Sequence, residues 1–319
     1  RGSADLAINE TITDAQKNQA MKELLDDRYS RGSGPQRDAA WSTWTRFHRH
    51  WFANTSYLPL SILKINAVAA LFKKGRYRTF SNYLSIARSR HLEEGHEFTK
   101  GMEQAATNAE RSVSRGRGPA IQAPAVDPEK LADAPCNHDP LVDGGCVWPV
   151  LMFMVGCMFL LRELELAMLD FADVALNMTE QMVILTLPIT KTDIRGDGCQ
   201  RRWGCTCCDG SSWHMCSFHA FVHMVGHATK KFGEDLKNIK LFGDVLGNMI
   251  PKEKMIEPMQ AAWNLTGALY VRLSGHSLRR SGAQYVAALG MELKLIQAMG
   301  RWGSTAIERY VAESPLNKL

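Results

Sequence analysis

At 319 residues, with 45% apolar and 22% charged residues, the chain has the proportions of a globular, soluble protein long enough for two domains. Its longest apolar run, Val147 to Leu161, is about 15 residues and then meets Arg162 and Glu163, short of the ~20 that a membrane span needs, so it reads as a buried core helix. The net charge of +5 is unevenly spread: residues 36–118 hold 14 Lys/Arg against 6 Asp/Glu, a net of +8, which points to a polyanionic partner.

The chain opens RGSADLAINE, without an apolar signal segment and without Met, as a fragment would. Residues 1–35 read as a polar leader. From Arg37 the aromatics Trp41, Trp44, Phe47 and Trp51 recur at spacings of three and four, as on an amphipathic helix. Helices then follow after Pro59 (to Gly75), from Thr79 or Ser81 as N-cap (to Gly95), and from about Thr99 to Ser112. These make a small basic helical domain over 36–114. Arg115 to Lys130 (RGRGPAIQAPAVDPEK) is rich in Gly and Pro and reads as a mobile, extended linker. The second domain, 131–319, starts with the apolar helix and continues into LLRELELAMLDFADVAL. A hairpin follows (VALNM, MVILTLPITK) with its turn at 179–181, and RGDG at 195–198 reads as the next turn. After Trp213 the chain is helical to the end. The fold class is mainly α with a small β element, an α+β layout.

Breaking and rejoining a phosphodiester without metal requires fixed cations for the charge on the equatorial oxygens, a nucleophile whose ester stays reactive, and an acid for the leaving sugar oxygen. Arginine suits the first part because its planar fork holds two oxygens and stays charged. Arg162, Lys191, His276, Arg279 and Tyr310 fill these parts in number and type. Taken singly, Arg162 reads as a helix-end ion pair, Lys191 as a solvated strand-end lysine, and Tyr310 as a core tyrosine. Their joint order overturns that.

HSLRRS, followed by GRWGSTAIERYV, resembles the C-terminal signature of the tyrosine recombinase (phage-integrase) family: H-x-L-R-[HR]-[ST], then L-G-[HW], then a tyrosine on a short helix. LLRELEL resembles the family's first box, L-R-x-x-E-L, and LPITKTD its lysine-bearing hairpin. The basic helical domain resembles the family's core-binding domain, preceding a catalytic domain. The resemblance implies that Arg162 and Arg279 hold the scissile phosphate, with Glu165 as supporting carboxylate. It implies Lys191 as the general acid, His276 in proton transfer and orientation, and Trp302 packing and donating its indole N–H. Tyr310 would attack to give a 3′-phosphotyrosine, with no cofactor for catalysis. Arg280 is expected to touch backbone phosphate or cap a helix. The implied partner is double-stranded DNA, bound by a homotetramer. The implied enzyme is a site-specific recombinase or integrase of the kind mobile elements encode, intracellular, in the nucleus of a eukaryote or otherwise in the cytoplasm.

One spacing departs from the family. Trp302 to Tyr310 is eight residues, where one more is usual, and counting back from the tyrosine puts Arg301 in that slot. A one-residue deletion ahead of a Thr305/Glu308 capping box favours Trp302, and both stay candidates. A type IB topoisomerase would share the clamp and tyrosine, and a domesticated DNA-binding protein would share the fold. A metal-dependent nuclease would need clustered carboxylates, but Asp170 and Asp173 near Glu163 and Glu165 are better explained as helix-end and support residues.

Cysteine usage marks a second constellation. Eight cysteines without a secretion signal suit a reducing compartment, as thiols or metal ligands. Cys205, Cys208, Cys216 and His219 have spacings that suit a structural zinc, with Cys207, Cys199 and His214 as spare ligands; the alternative is reduced thiols without metal.

Overall fold

Helix-capping chemistry sets most of the boundaries in the N-terminal half. The computed structural model describes residues 2–26, 28, 34–118, 122–187, 198–207, 213–303 and 306–311. The chain divides into two units, Arg1–Ile121 and Gln122–Leu319. The first holds α1 (Ala4–Asn9), α2 (Asp14–Asp26), α3 (Gly34–Trp51), α4 (Ile62–Lys74), α5 (Phe80–Glu93) and α6 (Lys100–Ser114). The Ser61 and Thr99 hydroxyls accept from the amides of Lys64 and Met102, satisfying orphan donors at the starts of α4 and α6. Trp44, Ile65, Val68, Phe72, Phe80 and Leu84 form the core, with α4 against α6 and α3 against α5. α1 and α2 bury no residue.

The second unit is built around α7 (Pro149–Met158), all ten of whose residues are buried. The apolar run outlasts the helix. Leu160 takes φ +52°, its N–H reaches Cys157 O (3.2 Å), and the Leu161 N–H reaches Gly156 O (2.9 Å). This Schellman-type turn stops the helix yet keeps Leu160 and Leu161 in the core. α8 (Glu163–Met168) follows at once, then the antiparallel strands β1 (Val174–Asn177), β2 (Met182–Leu187) and β3 (Cys199–Gly204) in that order. Val183, Leu185 and Leu187 alternate inward along β2. The hairpin agrees with the sequence reading; β3 is an addition to it, paired from Met182↔Gly204 to Leu187↔Cys199. Its residues CQRRWG lack an apolar alternation, and neighbouring β2 supplies what makes them a strand.

α9 (Ser217–Phe232), α10 (Ile256–Asn264), α11 (Ser277–Ala288), α12 (Leu293–Gly300) and α13 (Ala306–Val311) complete the unit. α9, α10 and α11 pack on α7, while irregular segments at 233–250 and 265–276 interrupt the continuous helicity expected after Trp213. The α7–α11 crossing is tight: a Cβ on Gly282 would sit 1.9 Å from Cys157 O, and one on Gly156 would sit 2.5 Å from a Leu278 methyl. Part of the expected mobile linker is docked. The Val126 N–H donates to Ser281 Oγ (2.9 Å), and Arg280 Nη1 donates to Ala123 O (2.6 Å), so residues 123–126 lie on α11. Among the described residues no helix is long and apolar enough to cross a membrane.

Candidate active site

Glu165 is the hub around which the arginines gather. Arg162 is the N-cap of α8: its N–H donates to Glu165 Oε2 and its Nη1 to Oε1, both at 2.9 Å. Arg301 Nη2 donates to Oε2 at 2.8 Å, and Arg279 Nη1 lies 3.9 Å from the same oxygen. Burial alone would push this carboxyl up. Arg301, the Arg162 amide and the Arg162 and Arg279 guanidinia outweigh it and hold the group below its ordinary range, so it is an anion at neutral pH.

Three guanidinia around one carboxylate leave an excess of positive charge. Arg279, on the first turns of α11, is 1% exposed, and its Nε, Nη1 and Nη2 make no hydrogen bond among the described residues. Nε and Nη1 of Arg301 are likewise buried without a hydrogen bond among those residues. Five buried donors in this state demand a physical reason, since buried polar groups in folded proteins are nearly always paired. Burial, then the nearby Arg162 and, less, Arg301 push the Arg279 guanidinium down to about 10, against the pull of Glu165 and Tyr310. It remains a cation at neutral pH.

Trp302 lies over that cation, its ring centroid 4.7 Å from Arg279 Cζ. The position follows from how α12 ends. Arg301 takes φ +54°, its N–H meets Ala298 O (3.2 Å), and the Trp302 N–H meets Gln297 O (3.1 Å), a second Schellman-type turn closed by a residue other than glycine. A left-handed arginine costs of order 1 kcal/mol, and such strain gathers where function needs a fixed geometry. Arg201 on β3 holds the same turn, donating to Met299 O (3.2 Å) and Ala298 O (2.7 Å). Gly300 is required there, because a Cβ would lie 1.9 Å from the Trp302 ring.

Tyr310 sits half-buried on α13, its ring 5.1 Å from that of Trp302. Gln284 of α11 donates to the Tyr310 carbonyl (2.9 Å), and the buried Ile307 seats the helix. His276 is exposed at the N-cap of α11, one turn from Arg279. Just before it, Gly275 lets the Glu163 carboxylate approach so closely that a Cβ would fall 2.3 Å from it. Of the predicted site residues, the structure therefore gathers Arg162, Glu165, Arg279, Trp302 and Tyr310, with His276 at the edge of the same helix. Lys191 and Thr305 lie outside the described residues. Arg201 and Gln284 carry no signal in the sequence, because each acts on residues far along the chain, and the same holds for the approach of Glu163 to Gly275.

Arg280, expected to touch backbone phosphate or cap a helix, is 6% exposed and donates to the Ala123 carbonyl, which anchors the linker on α11. The carboxylates a nuclease would need are otherwise engaged: Asp170 pairs with Lys240 (2.9 Å), and Asp173 accepts from the Asp170 amide (2.9 Å).

Among the described residues, the group of His, Cys and carboxylate side chains close enough to share a metal is Cys205, Cys207, Cys216 and His219, whose ligand atoms all lie within 4.8 Å of one another. Cys207, a spare in the sequence, thus joins three of the expected ligands. Cys208 lies outside the described residues, and His214 instead faces Leu131 O at 3.3 Å.

No family model matches the chain, and no curated protein does. Solved structures do. A lambda integrase (75–356) dimer bound to a COC′ core site superposes with a TM-score of 0.59 at 12% identity, covering 92% of this chain and 93% of that one. XerH site-specific recombinase, bound to a palindromic difH substrate in a post-cleavage complex, gives 0.59 at 13%, covering 97% and 84%. The Tn1549 transposon integrase, in complex with transposon right-end DNA, gives 0.56 at 14%, covering 88% and 90%. The fold is that of the tyrosine recombinases.

Proposed function

On this tyrosine recombinase fold, we propose that the protein cuts and rejoins duplex DNA through a covalent 3′-phosphotyrosine at Tyr310. The observation that carries the reading is the set of five buried guanidinium nitrogens of Arg279 and Arg301 that make no hydrogen bond among the described residues, beside a tyrosine. An excess of fixed, partly dehydrated cations suits an anion that arrives with its own acceptors, and a phosphodiester supplies them. Arg162, Arg279 and Arg301 would take the non-bridging oxygens. Glu165 would keep the three cations together while the site is free of DNA.

In the cleavage step the Tyr310 oxygen attacks phosphorus and loses its proton, and the bond from phosphorus to the 5′-oxygen breaks. That oxygen must leave as a hydroxyl, and Lys191 is the residue we assign to protonate it. His276, at the exposed start of α11, would pass protons and orient the phosphate. Rejoining is the reverse: a 5′-hydroxyl attacks the phosphotyrosine and releases Tyr310. The energy of the broken bond stays in the ester, so the chemistry needs no nucleotide. Trp302 takes the position the family's signature leaves open between Trp302 and Arg301, while Arg301 serves as a third arginine. At 1% exposure Arg279 is sealed under the Trp302 ring. DNA must therefore shift that ring, or α13 with it, to reach the clamp.

The partner in this reading is double-stranded DNA, gripped by the basic first unit and cut by the second. A tetramer holding two duplexes is the proposed working form; a lambda integrase tetramer bound to a Holliday junction shares the fold (TM-score 0.57, 13% identity). The relation to a transposon integrase favours a mobile-element origin. The test is incubation with nicked duplexes that trap the covalent intermediate. Wild-type protein should give an adduct that survives denaturation, and Tyr310→Phe should give none. An adduct undiminished in Tyr310→Phe, or none from wild type on any duplex including random-sequence libraries, would overturn the reading.

A further inference from the structure

The sulfur and nitrogen atoms of Cys205, Cys207, Cys216 and His219 stand at the corners of a small tetrahedron. Cys205 Sγ lies 3.6 Å from Cys207 Sγ and 3.7 Å from Cys216 Sγ. His219 Nδ1 lies 3.6 Å from Cys205 Sγ, 3.1 Å from Cys207 Sγ and 3.4 Å from Cys216 Sγ. A zinc ion bound to thiolate at about 2.3 Å and imidazole at about 2.0 Å in tetrahedral geometry has edges of about 3.8 Å (S···S) and about 3.5 Å (S···N). The observed separations match that size. They are far too long for a disulfide, whose sulfurs lie about 2.05 Å apart. The Thr206 amide also donates to Cys216 Sγ (3.3 Å), the kind of supporting hydrogen bond that steadies a metal thiolate.

We propose that these four residues bind one structural zinc ion in a closed Cys3His site, and that this ion clips the end of β3 to the start of α9. Cys205 and Cys207 follow β3 directly, Cys216 is the N-cap of α9, and His219 lies in its first turn. The strand needs the clip. Among the described residues it is an outer strand of the sheet, and its side chains are at most half-buried. Four protein ligands fill the tetrahedron, so the ion offers no open position for catalysis. Its reach to the active site is through β3 itself: Arg201, four residues before Cys205, caps the α12 carbonyls that hold Arg301 and Trp302 in place. The zinc thus works as a positioning device, and it stands independently of the chemistry assigned to Tyr310.

The test uses the full chain purified without a histidine tag. Elemental analysis should find about one zinc per chain, retained through dialysis and released when the thiols are modified. Replacement by cobalt(II) should give intense visible bands of a tetrahedral ion and near-ultraviolet thiolate charge transfer. His219→Cys should keep one metal and move those bands, whereas Cys216→Ser should reduce metal to a small fraction and lower the melting temperature. Cys199→Ser, outside the cluster, should change neither. Wild-type protein that carries no stoichiometric metal and binds cobalt only with the weak bands of an octahedral ion would overturn the proposal, even if Cys216→Ser failed to fold. So would a Cys205–Cys216 disulfide found in protein purified under reducing conditions.

Discussion

Glu165 decides whether three arginines can share one small volume. Removing one partner of a buried, hydrogen-bonded ion group leaves uncompensated charge, at a cost of about 3–5 kcal/mol. Glu165→Gln should lose about that much stability in denaturant titrations at pH 7, with its native fold retained. The dependence on pH follows from the direction of the shift. The folded-state carboxyl titrates below its ordinary 4.5, so its contribution is complete above that pH and disappears as pH falls through the lower folded value. The gap between wild type and Glu165→Gln should therefore be constant from pH 7 to about pH 5 and close in stronger acid. A gap that persists unchanged at pH 2 would show that the carboxylate's charge is not what matters. At this scale the sequence is legible where residues are close in the chain: His276 and Arg279 share a turn, and Arg162 and Glu165 share a capping box. The pairing of Arg301 with Glu165, across 136 positions, is not.

Elements are positioned by close backbone approach as much as by side-chain packing. α11 carries Arg279, and it reaches α7 only because Gly282 has no side chain to meet Cys157 O. Gly282→Ala should force the helices apart at a cost of about 1–3 kcal/mol. For a unit of this size that is a fall of about 2–4 °C in melting temperature for each kcal/mol, read by calorimetry. Because the strain is relieved by moving α11, loss of DNA-adduct yield should exceed what the stability loss accounts for. An unchanged melting temperature would mean the crossing is looser than described. The apolar run overstates the length of α7, since hydrophobicity reports burial and Leu160 and Leu161 stay buried after the helix has turned away. β3 is invisible in the sequence for the converse reason: its polar residues are recruited by pairing with β2, which a local pattern does not carry.

Across the whole molecule, charge is segregated: the first unit carries the excess of Lys and Arg, while residues 119–319 hold 19 Lys/Arg against 21 Asp/Glu. Affinity for non-specific duplex DNA should therefore fall steeply with salt as counterions are released. Arg46 and Arg49, exposed on α3, line an open groove with His50, Phe47 and Leu71. Replacing both arginines with Ala should flatten the plot of log affinity against log salt by about one unit for each phosphate no longer neutralised, equally for all sequences. An unchanged slope would place the DNA on another face of this unit.

What the sequence determined by itself was the inventory of residues and its order: two arginines, a histidine and a late tyrosine in a recombinase-like spacing, a cysteine-rich loop, and a basic helical half. Residue type and local spacing suffice for that, because capping, periodicity and motif order are properties of neighbouring positions. The tertiary structure decided how these groups meet. It made Glu165 the anchor of three guanidinia, put Trp302 rather than solvent over Arg279, set Arg280 against the linker, and chose Cys207 for the sulfur cluster. Those outcomes depend on distances between groups that the sequence does not carry, from about a dozen positions apart in the sulfur cluster to more than a hundred for Arg301 with Glu165 and Arg280 with Ala123, and only the folded core brings them within a few ångströms.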